Sequence, residues 1–352
     1  MRVVLIAGTE KGAFLCTSDS ERGEWSVKGP IFKGWRVTAT GRSPSGRYFL
    51  ATASQVYGPA LHTGTDLERW QQIEQAPAYP DKGERTLNQI WTIRCTEKRH
   101  WAGVDTAGLF TSDDDGQSWQ PVSSLNDHPT RPSWFPGAGG LCAHAVLVDP
   151  VHPERVWCGI SAVGVWRSED DGRTWQARNS GIKYVSEDKQ IPEIGYCVHG
   201  LAQDPDNAEL LYRQDHAGMY RSRDGGDTWE NNEQGLPSWF GFPIAIDPRT
   251  KTLFSFPLES DEYRMPVDGQ CRIYRSRNGG DSWEPTSRGL PETHYHASVL
   301  RGAMSIDALD PAGVYVGSTS GDLFATTDGG DSWQQLPCRL PRILSVQAYV
   351  ES

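Results

Sequence analysis

The stretch SRDGGDTW, residues 222–229, decides the fold, because the chain writes a version of it five times. SDDDGQSW ends at Trp119, SEDDGRTW at Trp175, SRDGGDTW at Trp229, SRNGGDSW at Trp283 and TTDGGDSW at Trp333. Two worn copies precede these, SDSERGEW at Trp25 and TGTDLERW at Trp70. Successive tryptophans stand 45, 49, 56, 54, 54 and 50 residues apart. Self-similarity at a period of this size marks a repeat architecture.

Outward from each octapeptide the same grammar recurs. The fourth period reads LCAHAVLVD, a DPVHPE turn, RVWCGIS, an AVG link, VWRSE, the octapeptide and TWQARN. The fifth reads YCVHGLAQ, DPDNAE, LLYRQD, HAG, MYRSR, the octapeptide and TWENN. Asp247-Pro248 and Asp310-Pro311 mark the same turn in the sixth and seventh periods. Short runs rich in β-branched and aromatic residues between Pro, Gly and Asp punctuation predict four strands per period. One such sheet cannot bury both faces alone, so neighbours must flank it, as the blades of a β-propeller do. The chain begins in a second strand (VVLIAG), and the run RILSVQAYV follows the last octapeptide. That run is expected to become the innermost strand of blade 1. The expected fold is all-β: one seven-bladed β-propeller over residues 1–352, with blade 1 split between residues 1–30 and 341–352.

The 352 residues include 14 Trp and 37 Gly, enough for a large core among many turns. The 34 Lys and Arg stand against 45 Asp and Glu, a net charge of −11 with no basic tract, which argues against nucleic acid as partner. Seven cysteines without CxxC spacing suit a reducing compartment. The apolar run in MRVVLIAGTEKG is too short for a signal peptide or membrane span. A cytoplasmic protein without membrane contact or cofactor is therefore expected.

The octapeptides resemble the Asp-box, or bacterial neuraminidase repeat, of pattern S/T-x-D-x-G-x-S/T-W. Ser/Thr and Asp side chains cap backbone N–H groups in such a turn, Gly takes a positive φ, and Trp anchors the turn between sheets. In families that carry it, the turn joins the third and fourth strands, opposite the active site. The resemblance thus implies scaffold roles for Asp114, Asp170, Asp224 and Asp328, and for Trp119, Trp175, Trp229, Trp283 and Trp333. Asn278 replaces the aspartate in the sixth copy. Sialidases, xyloglucanases, sortilin-type receptors and photosystem assembly factors share the box, so fold does not imply function. The Phe-Arg-Ile-Pro motif of sialidases is absent, and Pro341-Arg342-Ile343-Leu344 falls in the closing strand. The chain is similar to sialidase-like glycosyl hydrolases without being a true sialidase.

The face opposite the boxes carries the long links: SSLNDHPTRPSWFPGAGG, SGIKYVSEDKQIPEIG, RGLPETHYHAS and the insertion LESDEYRMPVDGQ. Long loops in a domain of otherwise short links are functional candidates. Cys142-Ala143-His144 and Cys197-Val198-His199 occupy equivalent places on adjacent inner strands, so both imidazoles are expected at the channel. Three readings stay open for them: hydrogen bonding at the channel wall, a polar substrate site, or a metal site of His144, His199 and His296. Acids recur where second strands end, and Asp105, Asp215 and Glu259 are the catalytic candidates, since glycoside hydrolysis needs two facing carboxyls. Trp35, Arg36, Trp134, Arg264, Tyr295, His296 and Arg301 join the two histidines as candidate substrate contacts, through stacking and bidentate clamping. A small carbohydrate or acidic ligand is the expected partner of a glycoside hydrolase-like or sugar-binding protein. The alternatives are a non-catalytic platform for a protein partner and a metal-dependent enzyme.

Overall fold

The computed structural model describes residues 1–80, 85–183 and 193–351. They form seven four-stranded antiparallel sheets arranged as a ring of blades, an all-β seven-bladed propeller as the periods imply. The innermost strands are Arg36–Arg42 in blade 2, Gln89–Arg94 in blade 3, Ala143–Val148 in blade 4, Val198–Asp204 in blade 5, Phe240–Ile246 in blade 6 and Met304–Ile306 in blade 7. In blade 1 that place is taken by Ile343–Glu351, paired antiparallel with Arg2–Thr9 from Arg2↔Glu351 to Thr9↔Ile343. The C-terminal strand therefore completes the N-terminal blade. No described helix is long and apolar enough to cross a membrane, and all seven cysteines are free thiols.

The octapeptide turns hold themselves by side-chain capping. Ser222 Oγ donates to Asp224 Oδ1 at 2.8 Å and accepts the Gly226 N–H at 2.7 Å. Asp224 in turn accepts the Thr228 N–H at 2.9 Å and the Thr228 hydroxyl at 2.6 Å. Asp114, Asp170 and Asp328 make the same bonds. Asn278 keeps them too, its amide donating to Ser282 Oγ at 2.9 Å where an aspartate would accept.

Two further repeated features lock blade to blade. The N–H groups of Trp229, Trp283 and Trp333 donate to Ser180, Gln234 and Arg288 in the preceding blade. The next residue there is a glycine, Gly181, Gly235 or Gly289, with φ near +90°; a Cβ on it would lie 2.2, 2.2 or 2.0 Å from the tryptophan carbonyl oxygen. Only a residue without a side chain permits that approach. An aromatic of the second strand in blades 2, 3, 4 and 6 also wedges beneath the next octapeptide: Phe49 meets Gly116, Trp101 meets Gly172, Phe254 meets Gly330, and Trp157 donates its indole N–H to the Gly225 carbonyl at 2.7 Å.

Closure uses different chemistry. Arg22, in the worn first octapeptide, reaches blade 7 and pairs with the fully buried Asp307 at 3.1 Å and with the Pro311 carbonyl at 2.9 Å. Asp307 also accepts the Leu309 and Gly313 N–H groups and the Tyr315 hydroxyl. It thus performs in blade 7 the turn-capping of Asp149, Asp204 and Asp247. This corrects the sequence expectation for Asp310, whose carboxylate is exposed.

Candidate functional site

Blade 5 builds the centre of the face opposite the octapeptides. Its first two strands pair Val198↔Asp215, so the flanking residues Cys197 and His216 meet at the open end, where the His216 N–H donates to the Cys197 carbonyl at 2.9 Å. His199, two residues along the strand, projects to the same side as Cys197. Cys197 Sγ and His199 Nε2 lie 3.6 Å apart, and Cys197, His199 and His216 each present a ligand atom within 4.8 Å of the others. His199 Nδ1 donates to the Gly241 carbonyl of blade 6 at 2.7 Å, which leaves Nε2 as the free lone pair. His216 Nε2 stands 3.3 Å from Asp261 Oδ2, supplied by the blade 6 insertion.

Burial pushes His199 well below the ordinary imidazole value, and the Arg301 charge adds to this. His216 moves the other way, raised by its hydrogen bond with Cys197 against the effect of burial and by the nearby Asp261 carboxylate. Burial alone would raise the Cys197 thiol, but hydrogen bonds with His216 and Ser161 and the Arg301 charge bring it below its usual value. Blade 4 repeats Cys142 and His144 but places Ser161 where blade 5 has His216: the Ser161 N–H donates to the Cys142 carbonyl at 2.8 Å. Burial there pushes the Cys142 thiol up to about 12 and His144 down to about 3. His144 Nε2 bonds the Val198 carbonyl at 2.8 Å, so it ties blade 4 to blade 5.

A pocket of about 250 Å³ opens over this cluster, between the Gly137–Gly139 loop and Phe240, Phe242, Arg264 and Arg301. The Arg301 side chain borders both this pocket and the central channel. It lies 4.9 Å from the Phe242 ring centre and 5.9 Å from that of Trp91. Among the described residues no carboxylate pairs with Arg301, and its Nε is buried without a partner. Burial pulls its pKa down, with Arg264 adding repulsion. The Arg264 guanidinium lies 5.7 Å from the same Phe242 ring and donates to the Asp261 carbonyl at 3.0 Å. The pocket thus sets the Arg301 and Arg264 guanidiniums over an aromatic floor, with Asp215 and Asp261 also in its lining.

Of the residues singled out in the sequence, His199, Asp215, Arg264 and Arg301 line this pocket, and His144 lines the channel below. Asp215 is buried and clamped by Arg213, whose Nε donates to it at 2.8 Å. Asp105 stands beside Gly140, accepts the Asn88 amide at 3.1 Å, and is raised by burial. Glu259 is exposed and outside the pocket. Arg36 pairs with Glu10 at 3.0 Å, while Trp35 stacks on Tyr57 with ring centres 5.8 Å apart.

Trp134 and Tyr295 belong to the core rather than to a ligand surface. Trp134 packs on Trp166 at 5.5 Å and donates its indole N–H to Thr130, and Tyr295 is only 7% exposed. His296 is exposed against Gly269 and outside the cluster around His199; the imidazole that joins His199 is His216. Its signal lay in the HAG link at the end of the second strand, legible only once the register across blade 5 is known. Part of the loop SGIKYVSEDKQIPEIG, residues 184–192, lies outside the described residues.

No family model matches the chain. It is 25% identical over 274 residues to a xyloglucanase of Paenibacillus sp, a match covering 67% of this chain and 24% of that enzyme. The chain therefore spans about a quarter of the length of that relative. Among solved structures it is similar to YCF48 bound to D1 peptide, with TM-score 0.54, 14% identity, and 86% of this chain and 81% of that one covered. It is also similar to PorZ of Porphyromonas gingivalis, with TM-score 0.56, 12% identity, and 90% and 34% covered. These structural likenesses establish the propeller fold and nothing finer.

Proposed function

We propose that this propeller is a glycoside hydrolase-like, carbohydrate-related protein whose pocket opposite the octapeptide turns takes a small acidic sugar. The carrying observation is Arg301, a deeply placed guanidinium with no carboxylate partner among the described residues, which lines with Arg264 a pocket floored by Phe240 and Phe242. A buried unpaired charge is costly, and a ligand carboxylate held in its fork removes that cost. The distant similarity to a xyloglucanase supports the carbohydrate class. In this reading the ring of the sugar lies on Phe242 and its acid on Arg301, and Asp105, outside the pocket lining beside Gly140 and raised by burial, is the proton donor to a leaving group that extends past the Gly137–Gly139 loop.

Calorimetry with matched neutral and acidic sugars tests the reading. The acid is expected to bind at least ten-fold more tightly than its neutral counterpart, and Arg301→Gln is expected to abolish that difference. Equal binding of both sugars, or unchanged affinity in Arg301→Gln, overturns it. Turnover of a bound glycoside is expected to fall about 100-fold or more in Asp105→Asn.

A second reading has its own observation. Val56, Tyr57, Phe135, Trp239 and Tyr263 are exposed on links of this same face, as a protein-docking rim would be. A sugar panel without binding, together with a stoichiometric co-purifying protein, moves the conclusion there.

A further inference from the structure

We propose that Cys197, His199 and His216 form a three-ligand site for a borderline-soft divalent cation, zinc by ligand type, with its remaining position open to the pocket. Thiolate plus imidazole is the donor set that suits zinc and rejects magnesium or calcium. A metal–sulfur bond of about 2.3 Å and a metal–nitrogen bond of about 2.0 Å at a tetrahedral angle set sulfur and nitrogen about 3.5 Å apart. Cys197 Sγ and His199 Nε2 stand at 3.6 Å. His216, on the link between the second and third strands, presents a ligand atom within 4.8 Å of the other two.

The outer contacts argue the same way. Metal-binding histidines usually anchor their second nitrogen on a carbonyl or carboxylate. His199 Nδ1 is bound to the Gly241 carbonyl, and His216 Nε2 faces the Asp261 carboxylate. In His199 the other nitrogen, Nε2, is the one left toward Cys197. Blade 4 offers the internal contrast, for it repeats the Cys-x-His pair but has Ser161 at the third place and no such convergence. Three protein ligands with an open fourth position is the arrangement of a catalytic rather than a structural zinc. The cationic Arg301 beside it favours an anion as the fourth ligand.

The site stands independently of the acidic-sugar reading, and its test does not use a sugar. Untagged protein purified without chelator is analysed for bound metal, then stripped and titrated with zinc and with cobalt(II). One equivalent is expected, with a thiolate-to-cobalt charge-transfer band in the near ultraviolet. Cys197→Ser and His216→Ala are expected to weaken zinc binding at least 100-fold, and Asp261→Asn about ten-fold. Cys142→Ser is expected to leave binding unchanged, and the thermal unfolding transition checks that each variant is folded. Sub-stoichiometric metal with no cobalt–thiolate band overturns the proposal, as does unchanged affinity in folded Cys197→Ser. So does rapid alkylation of Cys197 in the presence of excess zinc, which would mark it as a free thiolate. Binding of an acidic sugar to the stripped protein reports separately on Arg301.

Discussion

His144 and His199 look like a pair in the sequence, yet their second nitrogens face different worlds. His144 is used up in hydrogen bonding across blades, whereas His199 keeps a lone pair beside Cys197. Their burial has a consequence for acid stability. The folded protein holds His144 neutral down to about pH 3, while the unfolded chain protonates it near 6.5. Between those values the unfolded state binds the extra proton, so stability falls as pH falls, by up to about 1.4 kcal/mol per pH unit for one histidine. His144→Gln, which can still donate to the Val198 carbonyl, is expected to flatten that decline in urea melts between pH 7 and 4. An unchanged slope would assign the acid limb to other groups. Residue-scale legibility was uneven for a physical reason. His199 was visible because its place on the ring follows from the blade register, and Arg264 and Arg301 because they stand on long links of the face opposite the octapeptides. His216 needs the pairing across one hairpin, and the burial of Trp134 and Tyr295 depends on how long links fold back, which no period encodes.

At the scale of elements, the blades are held by backbone approach as much as by side chains. Gly235 combines φ +91° with a position where a methyl would collide with the Trp283 carbonyl, whereas Gly329 has φ +68° and open space around it. Gly235→Ala is expected to cost about 2–3 kcal/mol in denaturant melts, against about 1 kcal/mol for Gly329→Ala. Equal costs would mean that the left-handed backbone alone matters and that the clip to the next tryptophan contributes nothing. The blades were readable because strands and an octapeptide repeat in step, with an aspartate turn added in the fourth to seventh periods. The glycine clip and the aromatic wedge repeat too, in SGI, QGLP and RGLP and in Phe49, Trp101, Trp157 and Phe254. They go unread without coordinates because their partners lie in the neighbouring blade, about fifty residues on.

For the whole molecule, the decisive contact is the one between its ends. Arg22 and Asp307 are almost wholly buried, so Arg22→Ala leaves a carboxylate inside the seam between blades 1 and 7. A cost of about 3 kcal/mol is expected, the low end for a broken buried pair because Asp307 retains two N–H donors and the Tyr315 hydroxyl. A change below about 1 kcal/mol would show the seam to be held by strand pairing alone. That the ring closes through Ile343–Glu351 was evident from an apolar run left over after the seventh octapeptide; that a degraded octapeptide supplies the pin was not. The seam also sets a timetable for synthesis. Arg2–Thr9 is synthesised well before its inner partner Ile343–Glu351, so one edge of an apolar strand stays unpaired while the six blades between them are made. Six blades can assemble while the chain grows, but the circle shuts only once Ile343–Glu351 has emerged, and a nascent chain arrested before that strand is expected to bind chaperones through the waiting edge.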